Sequence, residues 1–303
     1  MSVPDAYPLV TVVGPTGSGK SSLAVRLAAW FGGEVVNCDS VQVYAGLDIG
    51  SAKTPEAERL GVPHHLLDVI DPNCELTAGD YARMASLVLE TIRGRGALPV
   101  IAGGTGFYLR ALLNGLSPAP VRNPELRERL GHLARRRPAA LHRFLRKQDA
   151  AAADRIHPND HQKLMRAIEL ASEPAKPRQG LAGFRVLKIG LRPARAALYA
   201  KLDRRAQWMF ETGLLAETEA LLKSGIPPEA KAFGTLGYRQ AVRVLTQGVT
   251  VEEAIAECQL RTRHYAKRQI TWFRPEADIH WLTGFGDEEN VQEEARSLLR
   301  AFL

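Results

Sequence analysis

Residues 14–21 read GPTGSGKS and fill every fixed position of the phosphate-binding loop pattern G-x-x-x-x-G-K-[ST]. An apolar run at 9–13 precedes the pattern and a helix-forming run at 22–28 follows it, which is the strand–loop–helix context that the motif requires. In such a loop the backbone N–H groups surround an anion at the positive end of a helix. The segment therefore predicts an α/β core that binds a di- or triphosphate. A plain glycine-rich turn is the alternative.

Each residue type in the loop has a physical role. The glycines at 14, 17 and 19 (Gly14, Gly17 and Gly19) allow successive N–H groups to point inward, and Lys20 adds a mobile positive charge. The hydroxyl of Ser21 can ligate Mg²⁺. We expect Mg²⁺ as the cofactor.

Bulk composition is that of an ordinary globular protein, with 303 residues, 45% hydrophobic and 24% charged. No apolar stretch approaches the ~20 residues needed to span a bilayer, and residues 1–8 do not resemble a secretory signal. The three cysteines are widely spaced, which suits a reducing compartment and gives no metal pattern. We therefore expect a cytoplasmic monomer with no membrane partner.

Charge is distributed unevenly along the chain. Residues 1–110 carry 8 Lys and Arg against 11 Asp and Glu, whereas residues 111–303 carry 32 against 22. The basic remainder is a candidate surface for a polyanion such as RNA, although solvated helix faces are also often basic.

Strand-like and helical patterns alternate through the first hundred residues, with strands predicted at 10–13, 34–37, 65–69 and 98–102. This alternation indicates a parallel sheet whose ligand sites lie at the carboxyl ends of the strands. The expected organisation is a core formed by 1–117 and 184–303, interrupted by an all-helical insertion at 118–183.

Two segments that follow predicted strands carry candidate chemistry. Asp39, in CDSVQVY at 38–44, could act as a general base or orient Mg²⁺ through water, or it could simply begin a turn. Thr105, in GGTGFY at 103–108, could donate to an anionic leaving group, although such glycine-rich turns are more often structural.

A basic, aromatic stripe lies near the C-terminal end of the chain. At helical spacing, Arg261, Tyr265, Arg268 and Trp272 share one face. Cations alternating with aromatic rings suit a nucleotide strand, whose phosphates bind the former and whose bases stack on the latter. Burial of Trp272 in the core is the alternative.

Together these blocks resemble the tRNA dimethylallyltransferases, also called tRNA isopentenyltransferases. The matching stretches include GPTGSGKSSLAVRLA, VVNCDSVQVY, LPVIAGGTGFYLRALLNGL, IHPNDHQKLMRAIEL and KRQITWFR, in order from residue 9 to 274. The absence of a Cys/His cluster after Cys258 favours a short, bacterial-type form.

The resemblance implies an α/β fold with a P-loop kinase-like parallel sheet and a helical insertion. It implies transfer of a dimethylallyl group from its diphosphate to the exocyclic amine of the adenosine next to the anticodon (position 37), which gives isopentenyladenosine. It places the general base on Asp39, with Thr105 as a second catalytic residue. It places the diphosphate contacts on Gly14, Thr16, Gly17, Ser18, Gly19, Lys20, Ser21 and Arg205, together with Thr105. Its contacts with the anticodon stem-loop of tRNA fall on Asp39, Ser40, Val41, Gln42, Thr105, Arg127, Gln162, Lys163, Leu164, Met165, Arg166, Gly237, Tyr238, Arg239, Lys267, Arg268, Gln269, Trp272 and Arg274.

Three other functions are compatible with a phosphate loop. A small-molecule kinase would consume ATP, an isopentenyltransferase acting on free AMP, ADP or ATP would not need the basic, aromatic helix, and a nucleotide-gated RNA-binding protein would not need Asp39.

Overall fold

The computed structural model describes residues 6–116, 124–137, 139–171, 180–276 and 278–303. Within these residues the strands are β1 (Tyr7–Val13), β2 (Gly33–Asn37), β3 (His64–His65), β4 (Leu98–Ala102), β5 (Phe184–Leu191) and β6 (Ile279–Leu282). The helices are α1 (Lys20–Trp30), α2 (Ala78–Gly94), α3 (Gly106–Asn114), α4 (Pro124–Arg136), α5 (Ala140–Gln148), α6 (Ala150–Arg155), α7 (His161–Ala171), α8 (Arg195–Glu211), α9 (Leu214–Lys223), α10 (Tyr238–Gln247), α11 (Val251–Phe273) and α12 (Glu289–Phe302).

A six-stranded sheet in the order β3-β2-β4-β1-β5-β6 forms the centre of the first compact unit, residues 1–113 and 181–303. Every strand pair is parallel, with Val10 opposite Val100 and Leu187. All residues of β2 and β4 are buried, because helices cover both faces of a parallel sheet. The predicted α/β fold with a parallel sheet is confirmed.

The carboxyl ends of β1, β4 and β2 are neighbours at one edge of the sheet. The phosphate loop follows β1, residues 38–42 follow β2, and residues 103–106 follow β4. The topology thus brings the three sequence-predicted motifs to the same edge.

The second compact unit, residues 114–180, contains α4 to α7 and no strand among its described residues. Its core is a cluster of aliphatic side chains that includes Leu130, Leu141, Leu145, Leu164 and Ile168. This unit supplies the helical insertion of the predicted fold.

The predicted strand at 65–69 is wrong beyond His65. Leu66 and Asp68 have φ values of 60° and 54°, in the left-handed region that a strand cannot accommodate. Within residues 64–69, only His64 and His65 pair with β2. No helix in the described part of the chain is both long and apolar enough to cross a membrane.

Candidate active site at the phosphate loop

The phosphate loop is shaped by glycines whose backbone other groups approach closely. Gly19 (φ 85°) precedes the first residue of α1, and a Cβ atom on it would lie 2.7 Å from the nitrogen of Gly286. A Cβ on Gly14 would lie 2.8 Å from the carbonyl oxygen of Leu191. Gly286 also donates from its backbone N–H to Ser18 at 2.9 Å. Gly14 and the fully buried Ser18 therefore pack the loop against protein segments near Leu191 and Gly286.

Lys20 is folded back across this loop. Its Nζ donates to the carbonyl oxygen of Pro15 at 2.7 Å. Burial lowers the pKa of Lys20 to about 8, an effect that the negative charge of Asp39 opposes and the positive charge of Arg205 reinforces. Burial likewise lowers the pKa of Arg205, again opposed by Asp39. No ion pair among the described residues engages either cation, and a bound diphosphate would supply such a partner.

Asp39 uses one carboxylate oxygen to build its own turn. Its Oδ1 accepts hydrogen bonds from the backbone N–H groups of Val41 at 2.8 Å and Gln42 at 3.4 Å, while its N–H donates to Oδ1 of Asn37 at 3.1 Å. No hydrogen bond within the described residues engages its Oδ2. The turn and the general base are therefore compatible roles, since each needs a different oxygen.

The hydroxyl of Thr105 also faces the turn that begins at Asp39. It accepts from the N–H of Ser40 at 3.0 Å, donates to Oγ of Ser40 at 3.3 Å, and lies near the side chain of Tyr265. Burial raises the pKa of Tyr265, and the charge of Asp39 adds to that effect. Thr105 is not among the described residues that line the cavities below. These contacts support a role in positioning residues 39–42.

Helix α11 packs directly on the two glycine-rich loops. Gln269, 4% exposed, accepts from the N–H of Thr16 at 2.7 Å and donates to the carbonyl oxygen of Gly104 at 2.9 Å. Trp272 lies against Gly106, where a Cβ would be 2.0 Å from the indole Nε1. Its ring also packs edge-on against Phe107.

The predicted basic, aromatic stripe is therefore divided between two environments. Tyr265 and Arg268 line a cavity, whereas Trp272 packs on α3, with the guanidinium of Arg110 stacked 4.3 Å from its ring centre. The side chains of Gln269 and Trp272 are thus committed to protein contacts, which does not support base stacking by Trp272.

Two adjoining cavities lie at this edge of the sheet. The smaller one, about 260 Å³, is lined by the phosphate-loop residues Thr16, Gly17, Gly19, Lys20 and Ser21, and by Gln42, Ser51 and Lys201 among others. The larger one, about 380 Å³, has an apolar side formed by Leu202, Ala206, Met209 and Leu236 and a basic side formed by Arg239, Arg261 and Arg268. Thr16, Asp39, Ser51 and Arg205 line both.

Sequence reasoning missed the segment at 48–54, which contributes Ser51 to both cavities. Side chains hold it from two directions: Glu217 accepts from the N–H of Ile49 at 2.9 Å, and the hydroxyl of Tyr238 accepts from the N–H of Gly50 at 3.1 Å and donates to Glu217. Gln42 donates to the carbonyl oxygen of Ser51 at 3.1 Å. Its closely spaced small and polar residues, DIGSAKT, were the available signal.

The other predicted RNA contacts of the first unit differ in exposure. Arg239, Lys267, Arg268 and Arg274 are exposed, and Arg239 and Arg268 line the larger cavity. Tyr238 is fully buried and begins α10, and Gly237 (φ 87°) directly precedes this helix, so these two residues position the chain around Arg239.

In the helical unit, exposure again separates the predicted RNA contacts. Leu164 and Met165 belong to its core, so RNA contact through their side chains is not supported. Arg127 and Arg166 both bind the carboxylate of Glu169, at 2.6 and 2.7 Å. Gln162 and Lys163 are exposed, and Lys163 pairs with Asp160.

Comparison with known proteins identifies the family. The family model described as IPP transferase matches residues 42–276. The chain is 50% identical to the tRNA dimethylallyltransferase of Solibacter usitatus, over 98% of this chain and 99% of that protein. It is 51% identical to the tRNA dimethylallyltransferase of Koribacter versatilis, over 96% and 98%.

Solved structures give the same result. The full-length tRNA isopentenylpyrophosphate transferase of Bacillus halodurans superposes with a TM-score of 0.74 at 35% identity, covering 97% of this chain and 96% of that one. A eukaryotic dimethylallyltransferase, studied while acting on tRNA, superposes with a TM-score of 0.80 at 28% identity, covering 98% and 78%. The expected resemblance is confirmed, and the chain belongs to the IPP transferase family, as one of its tRNA dimethylallyltransferases.

Proposed function

We propose that this chain transfers the dimethylallyl group of dimethylallyl diphosphate to the exocyclic amine of adenosine 37 in tRNA, forming isopentenyladenosine. The observation that carries the proposal is the position of Asp39, which lines both a phosphate-loop cavity and a larger cavity with cationic and apolar sides. One cavity suits the diphosphate, and the other suits the adenosine and the allylic chain. Names of relatives support the same reaction.

The reaction needs help at both ends of the new bond. The lone pair of an aromatic amine is delocalised, so the amine attacks poorly until a base accepts a hydrogen bond from its N–H. As the amine nitrogen bonds to the allylic carbon, the carbon–oxygen bond breaks and its electron pair leaves on the diphosphate. The unengaged Oδ2 of Asp39 is the proposed acceptor of the amine proton.

The second requirement is to stabilise the negative charge that develops on the leaving diphosphate. Lys20 and Arg205 are the proposed cationic partners, because both are half-buried and gain from an added anion. The Thr16 hydroxyl, 3.5 Å from the Arg205 guanidinium, would be a third contact. Thr105 would act by fixing the turn that presents Asp39.

The residues present fit a divalent cation of the Mg²⁺ type. The described residues contain no cluster of three or more His, Cys, Asp or Glu side chains able to hold a metal. Mg²⁺ commonly binds through one or two protein ligands, several waters and substrate phosphates, and Ser21 in the first turn of α1 offers such a ligand. When bound, the ion would supply positive charge to the leaving diphosphate.

The RNA partner is proposed to be the anticodon stem-loop. Arg239, Lys267, Arg268 and Arg274 are exposed cations suited to its phosphates, and the loop is already single-stranded, which lowers the cost of extracting a base. The first compact unit alone lines both cavities, so we expect a monomer to suffice. A tRNA substrate favours a cytoplasmic location.

The decisive experiment is incubation with dimethylallyl diphosphate, Mg²⁺ and unmodified tRNA, followed by mass spectrometry of the digested nucleosides. The expected product is adenosine heavier by one dimethylallyl group, located next to the anticodon. Prenylation of free AMP without change to tRNA, or phosphate transfer from ATP, would contradict the proposal.

A further inference from the structure

Gln269 makes one of the longest-range side-chain connections in the described structure. Its Oε1 accepts from the backbone N–H of Thr16, 253 residues away, and its Nε2 donates to the backbone carbonyl of Gly104, 165 residues away. A single amide thus bridges the phosphate loop and the turn after β4, which belong to different strand ends.

Burial makes the free energy of this bridge depend on complete hydrogen bonding of the Gln269 amide. Gln269 is 4% exposed, and an amide removed from water costs free energy unless its donor and acceptor are both bonded. A methionine would fill a similar volume without that requirement. The Cβ position of Gly104 lies 2.1 Å from Nε2, so glycine at 104 is what gives the amide room to reach the carbonyl.

The bridge ends beside the groups proposed to react. On one side, the N–H of Thr16 points to Gln269, so Thr16 can meet the diphosphate cavity through its side chain. On the other, Gly104 adjoins Thr105, whose hydroxyl accepts from the N–H of Ser40, next to Asp39. A continuous path of hydrogen bonds and peptide bonds therefore connects Thr16, at the diphosphate cavity, to Asp39, the proposed base.

We propose that Gln269 is a positioning residue for the prenyl transfer, which holds the phosphate loop and the Gly104–Thr105 turn at the separation that places Asp39 against the diphosphate. This inference rests on the function proposed above. It assigns to Gln269 the support of the phosphate loop instead of contact with tRNA. Because small misplacements of reacting groups are costly, loss of the bridge is expected to lower kcat by about 100-fold.

The test compares Gln269→Met and Gln269→Glu with the wild type. Gln259→Met serves as the matched control, because Gln259 lies on the same helix and its side-chain amide donates one hydrogen bond within the described residues, to the carbonyl of Asp203 at 3.2 Å. For each protein we would measure kcat, both KM values, the Kd for tRNA, the affinity for inorganic pyrophosphate and the melting temperature.

Gln269→Met is expected to lose kcat at saturating substrates and to weaken pyrophosphate binding, while its Kd for tRNA stays near the wild-type value. Gln269→Glu provides a rescue. A protonated carboxyl reproduces both the donor and the acceptor, and burial favours the protonated form, so the ratio of variant to wild-type kcat should rise as the pH is lowered.

Three results would overturn the inference. One is a weakened Kd for tRNA with kcat intact, which would make Gln269 an RNA ligand. Another is a kcat loss matched by Gln259→Met at equal melting temperature. The third is a kcat ratio for Gln269→Glu that does not change with pH. An inactive wild-type protein would instead refute the proposed function, and pyrophosphate binding would still report on the loop.

Discussion

Replacing Asp39 by asparagine separates its two roles. Asparagine retains Oδ1, so the hydrogen bonds from the N–H groups of Val41 (2.8 Å) and Gln42 (3.4 Å) remain possible. Only the second oxygen changes, to an amide that cannot accept a proton. Because general bases contribute roughly 10²–10⁴ in rate, Asp39→Asn is expected to lower kcat by about 1,000-fold, or about 4 kcal/mol of barrier.

Asp39→Ala removes the turn as well, which makes it the informative companion. Hydrogen bonds to a charged group contribute about 1.5–3 kcal/mol, so losing the turn should destabilise the protein by about 2 kcal/mol. In a chain of 303 residues that corresponds to a melting temperature lower by roughly 3 °C. The asparagine variant should melt close to the wild type.

The assay is a single-turnover reaction with enzyme in excess of tRNA and saturating dimethylallyl diphosphate, with the modified nucleoside quantified by mass spectrometry. Binding of tRNA, followed by fluorescence anisotropy, should change little in Asp39→Asn. A rate for Asp39→Asn within tenfold of the wild type would refute the assignment of Asp39 as the base.

Other substitutions test other parts of the site. Burial lowers the pKa of Lys20 to about 8, so pyrophosphate affinity measured by calorimetry should decline above that pH, and should show no such decline in Lys20→Met. In the wild type, the free-energy cost of burying the charged Lys20 is fully present below pH 8 and is relieved as the pH rises from 8 to 10.5. Urea denaturation should therefore show the wild type gaining stability relative to Lys20→Met across that pH range. Gly106→Ala should destabilise the fold by about 1–3 kcal/mol, because its Cβ would overlap Trp272, whereas Gly94→Ala, with open space around it, should not; equal melting temperatures would contradict this. Tyr238→Phe removes the hydrogen-bond acceptor of the Gly50 N–H and one hydrogen bond to Glu217. We therefore expect the free energy of unfolding to fall by about 1–3 kcal/mol and the KM for the diphosphate substrate to rise. An unchanged KM would show that the 48–54 segment does not form the phosphate-loop cavity.

Local patterns predicted the parts of the site that each depend on one strand and its following loop. The phosphate loop and Asp39 follow β1 and β2, and the rule that ligands lie at the carboxyl ends of parallel strands was enough to expect them side by side. The sequence also predicted the parallel sheet, because alternation of strands and helices leaves little other choice.

Contacts between distant segments could not be predicted in this way. Helical spacing placed Trp272 on a stripe with Tyr265 and Arg268, but it does not say which neighbour covers each residue, and α3 covers Trp272. The amide of Gln269 bonds to loops 165 and 253 residues away, which no local pattern encodes. The predicted strand at 65–69 was wrong for a related reason, since apolar residues give no sign of the positive φ at Leu66 and Asp68.

The turn at Gly103–Gly106 has a consequence for mutational tolerance. A Cβ on Gly103 would lie 2.0 Å from the carbonyl oxygen of Cys38, one on Gly104 would meet Gln269, and one on Gly106 would meet Trp272. Three different neighbours therefore exclude a side chain at three of four successive positions, and none of them is a substrate. A saturation scan of this turn would show the intolerance expected of a catalytic motif, although it would report packing against α11 at two positions, packing against Cys38 at one, and the orientation of Asp39 at only one. Natural sequences that carry a side chain at 104 or 106 should accordingly have a smaller residue at 269 or 272, in α11, about 165 residues later in the chain.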